Sequence, residues 1–332
     1  MARVSITICP MEITQAQKLI QTDLKAVDEI IHEHLHSVVP LAEEIAEYII
    51  NSGGKRIRPT LVLLSAKAFG YTGQAHLQLA AIIEMLHTAT LLHDDVIDDS
   101  KLRRGRKTAN AVWGNQASVL VGDLLHARSF QLIAEMDHPM ITDILACATS
   151  VIVEGELLQL IHCHDPLTSE QTYLEIIQHK TGKLFEVATH VGPVLADRTL
   201  EECEAMACYG RNLGAAFQII DDALDYEGDA TVTGKNIGDD LAEGKPTLPL
   251  IYILQHGSTA EKAIIKSALQ KPEHADIATI QQILLDNHAI EYTKQRAEQF
   301  IKGAKLSLES IAESEYRIIL NDLANIALHR DK

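Results

Sequence analysis

Apolar residues recur at spacings of three and four along nearly the whole chain, and no segment alternates convincingly with period two. The pattern predicts helices over 13–35, 40–51, 58–69, 76–99, 115–135, 139–161, 169–190, 199–227, 246–255, 259–270, 275–286, 289–306 and 309–328, and no sheet. Start signals agree with it. Thr168-x-x-Gln171, Thr199-x-x-Glu202 and Ser258-x-x-Glu261 read as capping boxes, and Pro139 stands where a first-turn proline belongs. Stops fall at Gly53-Gly54, Gly70, Gly73 and between Gly228 and Gly244. No low-complexity linker or solenoid repeat interrupts the pattern. The economical reading is one large all-α domain over 12–332, with residues 1–11 a loose tail.

Composition narrows this picture. The chain has 332 residues, 46% of them apolar, enough to bury a large core. Only 4% are aromatic, which suits helices better than an all-β fold. The net charge of −17 argues against nucleic acid as a partner. It leaves diphosphates open, because a local cluster of Lys and Arg binds an anion within an acidic protein. Five cysteines without framework spacing fit reduced thiols. His162-Cys163-His164 lacks the second ligand pair of a zinc site. The opening MARVSITICP is too short for a secretory signal, and no window reads as the roughly 18 apolar residues of a membrane span. The expectation is a soluble, cytoplasmic protein.

Candidate chemistry lies in two acidic clusters. Residues 91–99 read LLHDDVIDD at the end of an apolar helix. Asp94 and Asp98 are four apart and share a helix face, where their charges repel. Acidic residues at a helix C-terminus also oppose the macrodipole. A hard divalent cation removes both penalties, and Mg²⁺ commonly takes one or two carboxylates plus phosphate oxygens. Asp95 points elsewhere and orients or widens the site. The second cluster, FQIIDDALDY, repeats the arrangement with Asp221, Asp222 and Asp225. Two such helices facing each other would form a diphosphate clamp above an apolar pocket. His87 lies seven residues before Asp94, two turns back on the same face. Basic groups flank both clusters: Gly-Gly-Lys-Arg-Ile-Arg-Pro at 53–59, Leu-Arg-Arg-Gly at 102–105, and the Gly-Lys pairs at Lys235 and Lys245. Glycine gives the backbone room near an anion, and Arg grips phosphate in a fixed fork.

Five motifs in order, GGKRIRP, HTATLLHDDVIDD, LRRG, FQIIDDALDY and GKNIGDDLAEGKPTLPL, carry a family likeness. From about Ile13 to its C-terminus the chain resembles the trans-isoprenyl diphosphate synthases, and within them the bacterial octaprenyl diphosphate synthases. The resemblance implies an isoprenoid-synthase helical bundle with a central apolar cavity. It also implies a homodimer that condenses isopentenyl diphosphate onto an allylic diphosphate, such as farnesyl diphosphate. The implied product is long and all-trans, octaprenyl, for quinone side chains; nonaprenyl, heptaprenyl and geranylgeranyl are the alternatives.

Site residues follow from the same likeness. Lys55, Arg58, His87 and Arg104 would bind the diphosphate of isopentenyl diphosphate. Asp94 and Asp98 would hold two Mg²⁺ on the allylic diphosphate, and Asp221 a third. Arg103, Lys180, Thr181, Gln218 and Lys235 would contact the allylic substrate, with Asp95, Asp222, Asp225 and Lys245 behind them. In the family, short-chain members place a bulky aromatic near position 89. Here Ala89 precedes Thr90, with Met85 and Ile82 below on the same stripe, each turn adding about 5.4 Å of depth. The expectation is an open tunnel that Ala89→Phe would shorten. A metal phosphohydrolase built on His93-Asp94 would leave the second cluster and GGKRIRP without a role. A non-catalytic regulatory subunit would lack aspartates in one cluster, and both are complete.

Overall fold

A computed structural model of the chain describes residues 13–103, 105–227 and 238–328. The tail expected over 1–11, and the expected site residues Arg104 and Lys235, lie outside the described residues. The helices run α1 (Ile13–Leu19), α2 (Gln21–Leu35), α3 (Pro40–Ile50), α4 (Ile57–Ala68), α5 (Ala75–Ile97), α6 (Ala109–Trp113), α7 (Asn115–Glu135), α8 (Pro139–His162), α9 (Glu170–Ile177), α10 (Lys183–Leu195) and α11 (Leu200–Glu227). They continue through Asp239–Ala242, Leu248–His256, Thr259–Gln270, Ile277–Asp286, Ala289–Leu308 and Glu315–Leu328.

Most predicted segments are helices, with four corrections. The run expected over 13–35 breaks at Ile20, and the last helix starts at Glu315. The run expected over 169–190 is two helices joined by a π turn, Gln178–Gly182. The absence of a sheet is also overturned. Leu102–Arg103 (β1) and Arg106–Lys107 (β2) pair antiparallel, Leu102 opposite Lys107. Strands of two residues are too short for period two to show.

Capping explains several helix starts. Ser258 and Glu261 form the reciprocal box. Thr199 and Glu202 do the same, with N–H···O distances of 3.3 Å and 3.1 Å. At the third candidate the cap is Ser169, whose Oγ accepts from the Thr172 N–H at 3.1 Å. Thr168 donates instead to the Asp165 carbonyl.

α11 runs through the middle of the bundle, packed on α10 along one side and on Ala289–Leu308 along the other. Its crossing with α10 is close. A Cβ on Gly210 would meet the Phe185 carbonyl at 2.4 Å, and one on Gly214 would meet the Gly182 Cα at 2.8 Å. α4 crosses the other side of α10, where Ser65 Oγ donates to the Thr189 carbonyl at 2.5 Å. A smaller core joins the end of α11, through Ala223 and Tyr226, to Leu250, Ile265, Leu269 and Leu284.

Contrary to the sequence expectation, two helices are long and apolar enough to cross a membrane by length and composition: Ala75–Ile97 and Pro139–His162. α5 is mostly buried in the core, whereas only 22% of the α8 window is buried. Val153, Leu157, Leu160 and Ile161 on α8 are exposed, as are Val119, Leu120 and Phe130 on α7.

Candidate active site

A cavity of about 550 Å³ opens among α4, α5, α8, the π turn and α11. Helical period decides which residues reach it. α5 supplies Glu84, His87, Thr90, Leu91 and Asp94, spaced by three and four along one face. α11 supplies Phe217, Gln218 and Asp221; α8 supplies Ile152 and Glu156. Lys55, Arg56 and Arg58 enter at the head of α4, Lys180 and Thr181 on the π turn, and Arg103 on the hairpin. The cavity thus brings together Lys55, Arg58, His87, Asp94, Arg103, Lys180, Thr181, Gln218 and Asp221.

At the basic end the backbone is held under local strain. Arg56 adopts left-handed φ 47°, uncommon for a residue with a side chain. Its guanidinium pairs with Glu84 at 2.9 Å and Asp28 at 3.3 Å. Gln17 Nε2 pins the Lys55 carbonyl at 2.7 Å. Arg58 Nη1 lies 3.1 Å from His87 Nε2, and a guanidinium only donates, so that ring nitrogen accepts and the proton sits on Nδ1. The Arg58 guanidinium also stacks 4.7 Å from the Phe185 ring centroid.

At the acidic end the aspartates divide by position within their motifs. Asp94 and Asp221 face the cavity. Asp95 is wholly buried and accepts from Arg103 Nε at 2.8 Å. Burial pushes its pKa up, more than Arg103 pulls it down. Asp222 is buried too, accepting from Tyr173 Oη at 2.5 Å and Gln218 Nε2 at 2.8 Å. Burial, followed by the neighbouring Asp240, raises it well above the carboxylate range. Gln218 Oε1 in turn accepts from Thr181 Oγ1 at 2.9 Å. The second aspartate of each motif therefore fixes cavity residues from behind.

The third aspartates sit off the cavity wall. Asp98 ends α5 and accepts from Lys245 Nζ at 3.1 Å. Burial opposes the charge on Lys245, but Asp98, Glu243 and Asp240 together raise its pKa. Asp225 accepts from the Asp240 N–H at 3.3 Å, and burial plus Asp240 push it up to about 7.

Three charged wall residues were not anticipated from sequence: Arg56, Glu84 and Glu156. Arg56 stands inside GGKRIRP, and Glu84 lies three before His87, so both carried a signal. Glu156, two turns before Cys163 on an apolar helix, is tied to Lys180 Nζ at 2.7 Å. Lys180 also donates to Gln159 at 2.8 Å. Burial raises the Glu156 pKa, and the Asp94 charge adds to it. Of the expected tunnel residues, Thr90 lines the cavity. Ala89, Met85 and Ile82 are buried in the core, not on the cavity wall.

Among the described residues no three metal-ligating side chains converge closely enough to hold an ion unaided. Asp94 and Asp221 line one cavity and offer hard oxygen donors. That set suits a Mg²⁺-like ion whose remaining ligands are water and phosphate oxygens, rather than a closed structural metal.

Comparison with known proteins places this architecture. The sequence model of the polyprenyl synthetase family matches residues 39–286. Octaprenyl diphosphate synthase of Haemophilus influenzae is 43% identical over 97% of this chain and 98% of its own length. All-trans-nonaprenyl-diphosphate synthase (geranyl-diphosphate specific) of Rhodobacter capsulatus is 45% identical over 93% and 95%. Among solved structures, a polyprenyl synthase from Caulobacter crescentus CB15, complexed with calcium and isoprenyl diphosphate, superposes with TM-score 0.92 at 39% identity. That superposition covers 97% of this chain and 99% of that one. With both aspartate motifs facing one cavity in a shared fold, the chain belongs to the polyprenyl synthetase family and is a trans-prenyltransferase.

Proposed function

We propose that the enzyme is a Mg²⁺-dependent octaprenyl diphosphate synthase that adds isopentenyl diphosphate successively to an allylic primer, farnesyl diphosphate. One observation carries this reading: a single cavity is lined by basic Lys55 and Arg58, by the carboxylates of Asp94 and Asp221, and by apolar Leu91, Ile152, Leu184 and Phe217. The 43% identity to the Haemophilus octaprenyl enzyme favours forty carbons over the other lengths.

Lys55, Arg58 and His87 bind isopentenyl diphosphate at the basic end, and Arg104 joins them. Asp94 and Asp221, with Asp98, would hold the ions, three in number. Mg²⁺ held there would supply positive charge to the allylic diphosphate. Arg103 and Lys180 face the same group and stabilise it as it leaves, each nearby cation being worth about 4 kcal/mol at an effective dielectric of 20. Thr181, Gln218 and Lys235 orient the allylic substrate. The allylic carbon–oxygen bond breaks, the isopentenyl double bond attacks, and the departing diphosphate takes the proton lost. The apolar wall excludes water, which would quench the cation.

We extend the reading to a homodimer. The apolar face of α8, continued by Val119, Leu120 and Phe130 of α7, is the surface a second copy would cover. The deciding experiment incubates the protein with farnesyl diphosphate, labelled isopentenyl diphosphate and Mg²⁺. A product ladder ending near forty carbons is expected, abolished by chelator and lowered about a thousandfold by Asp94→Ala. A product of another length would overturn the octaprenyl assignment, and no product with any primer would favour a regulatory subunit.

A further inference from the structure

His162-Cys163-His164, at the end of α8, has no part in the chemistry above, yet the fold joins it to a distant site segment. His164 adopts φ 62°, and its N–H donates to the Gly244 carbonyl at 2.8 Å. Its ring covers Gly244 so closely that a Cβ there would fall 2.1 Å from Cε1 and 2.2 Å from Nδ1. Gly244 is itself at φ 74°, where a side chain is strained whatever the space. The ring Nδ1 lies 2.9 Å from the Leu269 carbonyl; a carbonyl only accepts, so Nδ1 carries the proton. His164 therefore grips three things at once: the end of α8, the turn at Gly244 and the smaller core at Leu269.

The residue after Gly244 is Lys245. Its N–H donates to the Asp240 carbonyl at 2.9 Å, and its ammonium reaches Asp98 at 3.1 Å and also pairs with Glu243. Lys245 also lines a small polar recess with Lys180, Gln159, Asp222 and Asp240, next to the main cavity. A lysine stem turns about many bonds, so the placement of its charge depends on the backbone that bears it. That backbone is set by the turn at Gly244, and the turn is clasped by His164.

We propose that His164 is a positioning residue for the allylic diphosphate: it clasps the Gly244 turn and so holds Lys245 against Asp98, beside the cavity. The proposal rests on reading the cavity as a diphosphate clamp, and its test separates the two. Wild-type enzyme must first make prenyl product from farnesyl and isopentenyl diphosphates; failure there sinks the clamp reading. Given activity, His164→Ala raises KM for farnesyl diphosphate about tenfold, the loss of one charge-assisted contact, with kcat and the isopentenyl KM within about twofold. His164→Asn restores most of that loss, because Asn tolerates left-handed backbone and its amide can donate to the carbonyl.

A double-mutant cycle gives the second reading. Gly244→Ala alone is more damaging than the same change in a His164→Ala background, where the added methyl no longer meets a ring. Equal shifts in both KM values, no shift in either, or a Gly244→Ala effect identical in both backgrounds would overturn the proposal. If His164→Ala does not fold, Gly244→Ala carries the same KM comparison, with the farnesyl KM raised and the isopentenyl KM unmoved.

Discussion

Thr90 and Ala89 are neighbours on α5 with opposite surroundings. Thr90 is on the cavity wall, while Ala89 is 3% exposed and packed in the core. Thr90→Phe should therefore shorten the product and leave the fold intact, measured by product chromatography and thermal melting. Ala89→Phe should instead overpack the core and cost about 1–3 kcal/mol in denaturant unfolding. His87 and Asp94 could be placed on one face from sequence, because seven residues are nearly two turns. The same spacing separates 89 from 90, because Thr90 is three after His87 and four before Asp94, on that face, whereas Ala89 is two and five away, off it. α5 packs against α2, α4, α7 and α10, so its apolar positions do not fix its phase, but its polar residues Glu84, His87 and Asp94 do. Likewise the Asp-Asp pairs were visible, but the partners that bury Asp95 and Asp222 were not. Arg103 is eight residues from Asp95 and Tyr173 forty-nine from Asp222, and no local pattern links them.

At the scale of elements, α10 is fixed on both sides. Glu186 on α10 accepts from Lys183 at 2.7 Å and from Arg211 of α11 at 2.9 Å. Burial works to raise its pKa, but the hydrogen bonds from Lys183 and Arg211 win and lower it below the usual 4.5. A depressed carboxylate stabilises the fold above the unfolded value and loses that contribution as pH falls through the folded value. Glu186→Gln should cost about 2 kcal/mol at neutral pH, with the gap to wild type closing once pH drops below 4.5. Melting curves across pH check this; a gap unchanged by acid would contradict it. On the opposite side, a Cβ on Gly192 would meet the Ala66 backbone nitrogen at 2.6 Å. Gly192→Ala should therefore force α4 and α10 apart and destabilise by about 2–4 kcal/mol in urea unfolding. Helix identity was legible because most helices keep an apolar stripe. The hairpin at 102–107 and the break at Ile20 were not, being too brief to disturb a periodic signal.

Among the described residues, α7 and α8 present apolar side chains that the chain's own helices leave uncovered. Leu157 is 56% exposed on α8, between Val153 and Ile161. Leu157→Glu should convert the proposed dimer to monomer by sedimentation, weakening association about a hundredfold or more, while helix content is retained. An unchanged mass would remove this face from the interface. The π turn at Gln178–Gly182 acts on the same scale, through chain length. A turn with i→i+5 bonding holds a residue that an ordinary helix would not need. Deleting one residue there would close the ladder to i→i+4 with the same carbonyls bonded, so α10 would keep its place and only the residues of the turn would be re-aimed. Lys180 and Thr181 would then leave the clamp, while Leu184 and Phe185 would stay in the core. At this point the enzyme's function is encoded as a count of residues, which a substitution can survive and a deletion cannot.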